Sequence, residues 1–480
     1  MCYDWIFRQV TVIDGTGKGA YRADVAIKND RIADIAPLIN RPAEQEIAGN
    51  GRVLSPGFID VHTHDDLNVI STPEYLPKLS QGVTSVIVGN CGISAASAYP
   101  QPAFPEPINL LGKPQEFIYP SLESYARGVI VAKPAVNVAT LIGHTTLRNN
   151  HMDSLDRTAT AEEITVMRQQ LQQALQQGAL GLSTGLAYGS AFSASTEEVM
   201  ALAEVLTDEQ GIYTTHLRSE FEPILDAMDE AFRIGKRAMV PVVISHHKCA
   251  GPKNWGRTGE TLALMDKVSK KQQVSCDCYP YSASSSNLDL KQVTDEFEIT
   301  ITWSQGAPEQ AGKTLMQIAT EWQVDLAEAA VRLMPAGAIY HNMDEQDVRR
   351  VLKHARTMIG SDGLPNDPMP HPRLWGAFPR VLGYYSREQQ LFPLTEAIYK
   401  MTGLSAERFQ LAGRGFVKVG YFADLVLFDP LTIIDKASYT SPKQMADGID
   451  LVMVNGVVSY TGQNRYVTGR AGRFLRRGEL

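Results

Sequence analysis

His62-Thr63-His64, Cys91, His216, His246 and Asp362 are the residues of this chain whose types and spacing could do chemistry. In Phe58-Ile59-Asp60-Val61-His62 apolar and polar residues alternate as on a strand, so His62 and His64 project to one side, about 7 Å apart. Two imidazoles so placed reach one ion at the roughly 2 Å that zinc requires, although a lone H-x-H is as readily a surface or core pair. Cys91 follows the apolar run 83–88 inside Gly89-Asn90-Cys91-Gly92. A cysteine in such a turn either offers a thiolate to a metal or is a buried structural thiol. His216 closes the run 211–216 and His246 closes 242–246, with His247 facing the opposite way. Asp362 closes 357–362; there a carboxylate can act as a general base toward water, and Asp-Gly is also a common turn pair.

Three further residues could meet a substrate. Lys248 falls on the same side as His246 and either meets a carboxylate or stays solvated. Arg373, in His371-Pro372-Arg373-Leu374-Trp375, suits bidentate carboxylate recognition, with a structural ion pair as the other reading. Tyr279 follows the run 274–278 and either brings a phenol to the site or packs. Cys276 and Cys278 share one face of that run and read as buried thiols.

The elements that must position these groups follow from where they sit. Each ends an apolar stretch of strand length, and amphipathic helical stretches lie between several of them. Strand spacing of about 30 residues between 181 and 278 is that of repeated βα units, hence a parallel sheet. Chemistry gathered at strand C-terminal ends is the habit of a closed (β/α)₈ barrel of the TIM type, with an open doubly wound sheet as the alternative. Thr160 to Glu163 and Ser195 to Glu198 each fit a capping box and mark helix starts. Residues 1–56 and 416–480 instead read as short strands and turns, and pairing both termini makes one small β-sandwich or barrel domain. The catalytic barrel then spans 57–415, with a Pro-rich segment at 100–120 and an insertion at about 282–340 laid over one face.

At 480 residues, with 44% hydrophobic and 20% charged, the chain is an ordinary soluble globular protein large enough for a sizeable core. A net charge of −8 argues against a nucleic-acid partner. No apolar run approaches the ~20 residues of a membrane span. Met1-Cys2-Tyr3-Asp4 lacks the basic start of a secretory leader, and five cysteines form no spaced framework, so a cytoplasmic location is expected. The sequence sets no oligomeric state.

Pro56-Gly57-Phe58-Ile59-Asp60-Val61-His62-Thr63-His64 resembles the opening signature of the amidohydrolase superfamily. With G-N-C-G-I-S (89–94), G-H-T-T-L-R (143–148), V-V-I-S-H-H-K (242–248), D-C-Y-P-Y (277–281), I-G-S-D-G-L-P (359–365) and H-P-R-L-W-G (371–376), the chain resembles the N-acyl-D-amino-acid deacylases, or D-aminoacylases, over nearly its whole length. The resemblance implies one tightly held Zn²⁺ on Cys91, His216 and His246. It implies a second, weaker position lined by His62 and His64, with the cysteine between the two. It gives Asp362 the role of base and acid toward metal-activated water, and makes Lys248, Tyr279 and Arg373 candidates for the substrate's carboxylate and carbonyl. The expected reaction is hydrolysis of an N-acyl-D-amino acid, a small molecule, to a carboxylate and a free D-amino acid. The D preference rests on the resemblance alone. Other outcomes are a D-glutamate- or D-aspartate-specific deacylase, a dipeptidase, or a silent scaffold of the same fold. Related deacylases often read H-M-R-[ND]-E where this chain has His216-Leu217-Arg218-Ser219-Glu220. The segment 181–186 lacks the carbamylated lysine of hydantoinase-like and dihydroorotase-like relatives, which argues against ring opening.

Overall fold

Eight short strands, nearly all buried, form a ring of parallel neighbours in the computed structural model, which describes residues 2–479. They are β1 (Phe58–Asp60), β2 (Val83–Val88), β3 (Asn137–Thr140, resumed at Ile142–Gly143), β4 (Gly181–Gly185), β5 (Ile212–His216), β6 (Val242–Ile244), β7 (Val274–Cys278) and β8 (Thr357–Ile359). Each pairs with the next in parallel. The seam between β8 and β1 closes just beyond the strands: Thr63 bridges Gly363, Asp362 N–H donates to the His62 carbonyl (2.7 Å), and His64 N–H donates to the Gly363 carbonyl (3.1 Å). Closure makes this a TIM-type barrel rather than an open sheet. It also places His62, His64 and Asp362 side by side, because the bonds that close the ring are made by those residues.

Strands buried on both faces read as continuous apolar runs, and Val83–Val88 is buried at every position. Outside lie helices such as Ala161–Gln176, Ile224–Ala238 and Thr258–Ser269. Thr160 and Glu163 form the full reciprocal capping box. Ser195 caps its helix, but Glu198 does not reciprocate; its carboxylate turns inward to His144 (2.9 Å) and Arg148 (2.5 Å).

Both ends of the chain enter one eight-stranded sheet. Val53–Pro56 runs antiparallel to Leu425–Phe428 and joins the two contributions, with Val10, Val25, Leu54, Leu425 and Met453 in the shared apolar layer. Ala43–Ala48, a strand the sequence pattern does not reveal, is mostly exposed and pairs in parallel with Tyr3–Val12. The stretch at 282–340, irregular in sequence, is a folded lobe. Ser284–Asn287, Ile299–Ser304 and Ala336–Tyr340 form an antiparallel sheet, covered by helices Leu315–Trp322 and Leu326–Leu333 around their own apolar core. From 470 onward the chain straps the opposite end of the barrel. Val138 N–H donates to the Arg473 carbonyl (2.8 Å), Leu475 N–H to that of Val138 (2.8 Å), and Phe474 is buried against Tyr125. Among the described residues no helix is long and apolar enough to cross a membrane.

Candidate metal centre

The closed seam, the last residue of β5 and the turns after β2 and β6 aim their side chains at one point. The ligand atoms of His62, His64, Cys91 and Asp362 lie within 4.8 Å of one another, and so do those of Cys91, His216 and His246. Cys91 belongs to both groups: its Sγ is 3.2 Å from His62 Nε2 and 3.3 Å from His246 Nε2. A tetrahedral zinc with the usual bond lengths to nitrogen and sulfur has ligand-to-ligand edges of roughly 3.3–3.8 Å. The spacing therefore suits a metal on either side of the thiol.

The donor chemistry agrees. Burial would raise the Cys91 thiol, yet His62, His246 and His216 hold it well below the usual thiol range. Burial works against charge on His64, and Asp362 and Cys91 outweigh it, pushing that imidazole up to about 9. A thiolate and a carboxylate enclosed among imidazoles form a set that calls for positive charge, which a divalent cation satisfies. The Nδ1 atoms of His64 and His216 are buried without a hydrogen-bond partner.

Backbone strain marks the same residues. Cys91 (φ 52°), His246 (φ 36°) and Asp362 (φ 48°) all lie in the left-handed region that non-glycine residues rarely adopt. Gly360 is required where it stands, since a Cβ there would lie 2.5 Å from that of His62.

Carboxylates behind the imidazoles set their orientation. Asp277, on β7, accepts from His62 Nδ1 (3.3 Å) and from His246 N–H (2.9 Å), so the face of β7 turned to the site carries an acid, while Cys276 and Cys278 pack outward. Glu220 lies 3.0 Å from His246 Nδ1 and 2.6 Å from Lys248 Nζ. Beneath β1, the wholly buried Lys78 donates to Asp60 (2.7 Å), Thr63 (3.0 Å) and Ser361 (2.7 Å), tying β1 to the Asp362 loop. None of these partners was apparent from sequence. Asp277 between two cysteines and Glu220 four residues after His216 were visible signals, whereas Lys78 sits in a helix 14 residues past the H-x-H pair and gave none.

Asp362 touches the groups a base would need. Its Oδ1 is 3.2 Å from His64 Nε2 and 3.5 Å from His62 Nε2, and Arg373 is 2.9 Å away. Burial pushes its carboxyl up, but Arg373, His62 and His64 together hold it well below the usual range, so it stays ionised. Arg373 stands beside this carboxylate and donates from Nη2 to the Ser285 carbonyl (3.2 Å), while its Nε and Nη1 are buried without a hydrogen-bond partner. Lys248 faces the cavity while bound to Glu220. Tyr279 also lines the cavity, its ring 4.6 Å from the Arg373 guanidinium. His247 packs outside the barrel on Thr261 (2.7 Å), as its alternation with His246 implies. Tyr188, which the sequence did not single out, covers His216 at 4.8 Å between ring centroids.

Above these groups opens a cavity of about 1240 Å³. His64, His216, His246 and Asp362 line its depth, and Pro107 and Leu288 contribute to its walls from the Pro-rich segment and the inserted lobe.

Comparison with known proteins bears on the same arrangement. The family model described as "Amidohydrolase family" matches residues 45–460. A D-aminoacylase of Alcaligenes xylosoxydans xylosoxydans is 46% identical over 477 residues, covering 99% of this chain and 98% of its own. A solved D-aminoacylase structure, studied for the role of its binuclear metal centre, superposes with a TM-score of 0.96 at 47% identity, covering 99% of this chain and all of that one. The N-acyl-D-glutamate deacylase of Bordetella bronchiseptica, complexed with zinc and a phosphonate that mimics the reaction's tetrahedral intermediate, superposes at 0.95 and 42% identity with the same coverage.

Proposed function

Because the chain belongs to the amidohydrolase family, we propose that it uses zinc to hydrolyse N-acyl-D-amino acids, releasing a carboxylate and a free D-amino acid. The observation that carries this reading is the pair of donor groups sharing Cys91, with the ionised Asp362 at their edge and the cavity above them. Cys91, His216 and His246 would hold the tight zinc, and His62 and His64 with Asp362 would border a second, weaker position. A bound zinc supplies Lewis acidity, which polarises an acyl carbonyl and acidifies water at neutral pH.

The protein's own groups do the rest. Asp362 takes a proton from the attacking water at its carboxylate and returns it to the nitrogen that leaves. Arg373, pinned against Asp362, keeps that carboxylate charged and oriented. Tyr188 and Tyr279 present phenols to the cavity for the developing oxyanion or the substrate carboxylate. Lys248 adds a positive charge beside them, already oriented by Glu220. Five free cysteines suit the reducing cytoplasm, where we place the enzyme.

An enantiomer-paired panel tests this assignment: N-acetyl-D-methionine, its L form, N-acetyl-D-glutamate and a set of dipeptides. Turnover of a D substrate well above its L partner is expected. No turnover of any acylated D-amino acid would overturn the reading, and a preference for D-glutamate or for dipeptides would redirect it.

A further inference from the structure

Two overlapping turns carry Cys91: Asn90–Ile93 is closed by its own backbone, Ile93 N–H donating to the Asn90 carbonyl (3.0 Å), whereas Gly89–Gly92 is not. Among the described residues no bond runs from Gly92 N–H to the Gly89 carbonyl, the contact that would close a four-residue turn. A side chain from another strand takes its place. Ser183, wholly buried on β4, accepts from Gly92 N–H at 3.0 Å and donates to the Gly89 carbonyl at 2.5 Å. One hydroxyl thus relays between the first and last residues of the turn, and Cys91 sits between them.

The turn needs such a clamp. Gly89, Cys91 and Gly92 all have positive φ (77°, 52° and 78°), a conformation that glycine adopts freely and cysteine disfavours. The Asn90–Ile93 bond holds one side of the loop and Thr145 N–H, donating to the Gly92 carbonyl (2.8 Å), the other, which leaves the Gly89 end to Ser183. Space is tight as well. A Cβ on Gly92 would lie 2.7 Å from Gly185 N, and one on Gly185 would lie 2.2 Å from the Cys91 carbonyl oxygen. The turn therefore rests directly on β4, with Ser183 as its polar tie. Cys91 is the one residue common to both donor groups, so whatever sets its sulfur sets both positions.

We propose that Ser183 is a positioning residue for the metal centre, holding the Cys91 sulfur between the two metal positions by closing the Gly89–Gly92 turn. The proposal rests on the assignment of Cys91 as a metal ligand. It differs from the roles of His216 or His64, each of which belongs to one group: removing the Ser183 hydroxyl weakens both positions together.

The test uses the full chain stripped of metal and titrated with cobalt(II), following the thiolate-to-cobalt charge-transfer band, alongside thermal melts with and without zinc. Wild type is expected to develop the band. Ser183→Ala is expected to bind cobalt at least about tenfold more weakly at both steps, with a weakened band, in the range found for residues that orient metal ligands. Its metal-free melting temperature should stay within a few degrees of wild type while the rise on adding zinc shrinks, because only the metal-bound state has lost affinity. Ser183→Thr keeps the hydroxyl and should restore the band. Wild-type affinity and band in Ser183→Ala would overturn the proposal. So would a metal-free Ser183→Ala that is unfolded or that keeps the full zinc-induced rise, since either assigns the hydroxyl to the fold alone. A wild type with no charge-transfer band would remove Cys91 as a ligand, a separate failure from either of these.

Discussion

Asp362 is held ionised in a buried pocket by Arg373 at 2.9 Å and by two imidazoles, and that enforced charge suits it to accept a proton. Replacing it by Asn keeps the shape and removes the base. Asp362→Asn should lower kcat by roughly 10²- to 10⁴-fold while zinc content stays near wild type, which steady-state kinetics with metal analysis will check. His62 and His246 should separate differently: His62→Asn should impair turnover and keep the tight zinc, whereas His246→Asn should lose it on dialysis. Lys78 makes a third case, because removing its ammonium strands the carboxylate of Asp60 in the interior. Lys78→Met should cost about 3–5 kcal/mol in chemical denaturation, the penalty of breaking a buried pair.

The residues of the two donor groups were legible in sequence because each lies at or just past a strand end and is chemically conspicuous. The groups that orient them were not. Asp277 looked like the middle of a cysteine pair until the face of β7 was known, and Ser183 is an ordinary strand serine whose importance lies in a turn 91 residues earlier. Arg373 was legible as an arginine suited to a carboxylate. The carboxylate it meets is the protein's own Asp362, which spacing along a chain cannot distinguish from a ligand's.

Among the elements, the helices around β3 and β4 are joined by one buried acid. Glu198 accepts from His144 and Arg148 and from Ala159 N–H (3.1 Å). Burial pushes its carboxyl up, but His144 and Arg148 outweigh burial and bring it down to about 2, from an ordinary 4.5. A carboxyl depressed on folding contributes stability that is fully present above its unfolded pKa and is lost as pH falls through its folded one. Wild type should therefore lose this share of its stability between about pH 4.5 and about pH 2. Glu198→Gln should be less stable at neutral pH and flatter across that window in urea titrations. The capping pattern at Ser195 correctly marked the helix start, but the acid it included serves the packing between helices. A local motif predicts a helix end more securely than it predicts where a side chain turns. The inserted lobe makes the related point: alternation in Ile299–Ser304 was present, but a strand pairing only within an insertion leaves no barrel-length rhythm to find.

For the whole molecule, closure is the property that spacing could suggest but not decide. It depends on bonds between residues about 300 positions apart, and those that close the ring also bring His62, His64 and Asp362 together. The terminal sheet follows the same logic, since Val10 and Leu425, from opposite ends of the chain, are buried in one shared apolar layer. The strap after 470 extends it. Arg470, Arg473, Arg476 and Arg477 pair with Glu74, Asp30, Glu123 and Glu209, but these pairs are partly exposed and contribute little each. Phe474 and the backbone bonds to Val138 should carry most of the attachment. A chain ending at Gly469 should lose roughly 2–4 kcal/mol in denaturant melts, with little of that loss reproduced by high salt on the full chain.

A zinc held at Cys91, His216 and His246 should be required for hydrolysis of an acylated D-amino acid. The most direct test is turnover of N-acetyl-D-methionine by one preparation as purified, after chelation and dialysis, and after adding back one equivalent of zinc, with metal content measured each time. Activity should disappear with the metal and return with the first equivalent. Full activity in the metal-free protein would contradict that requirement.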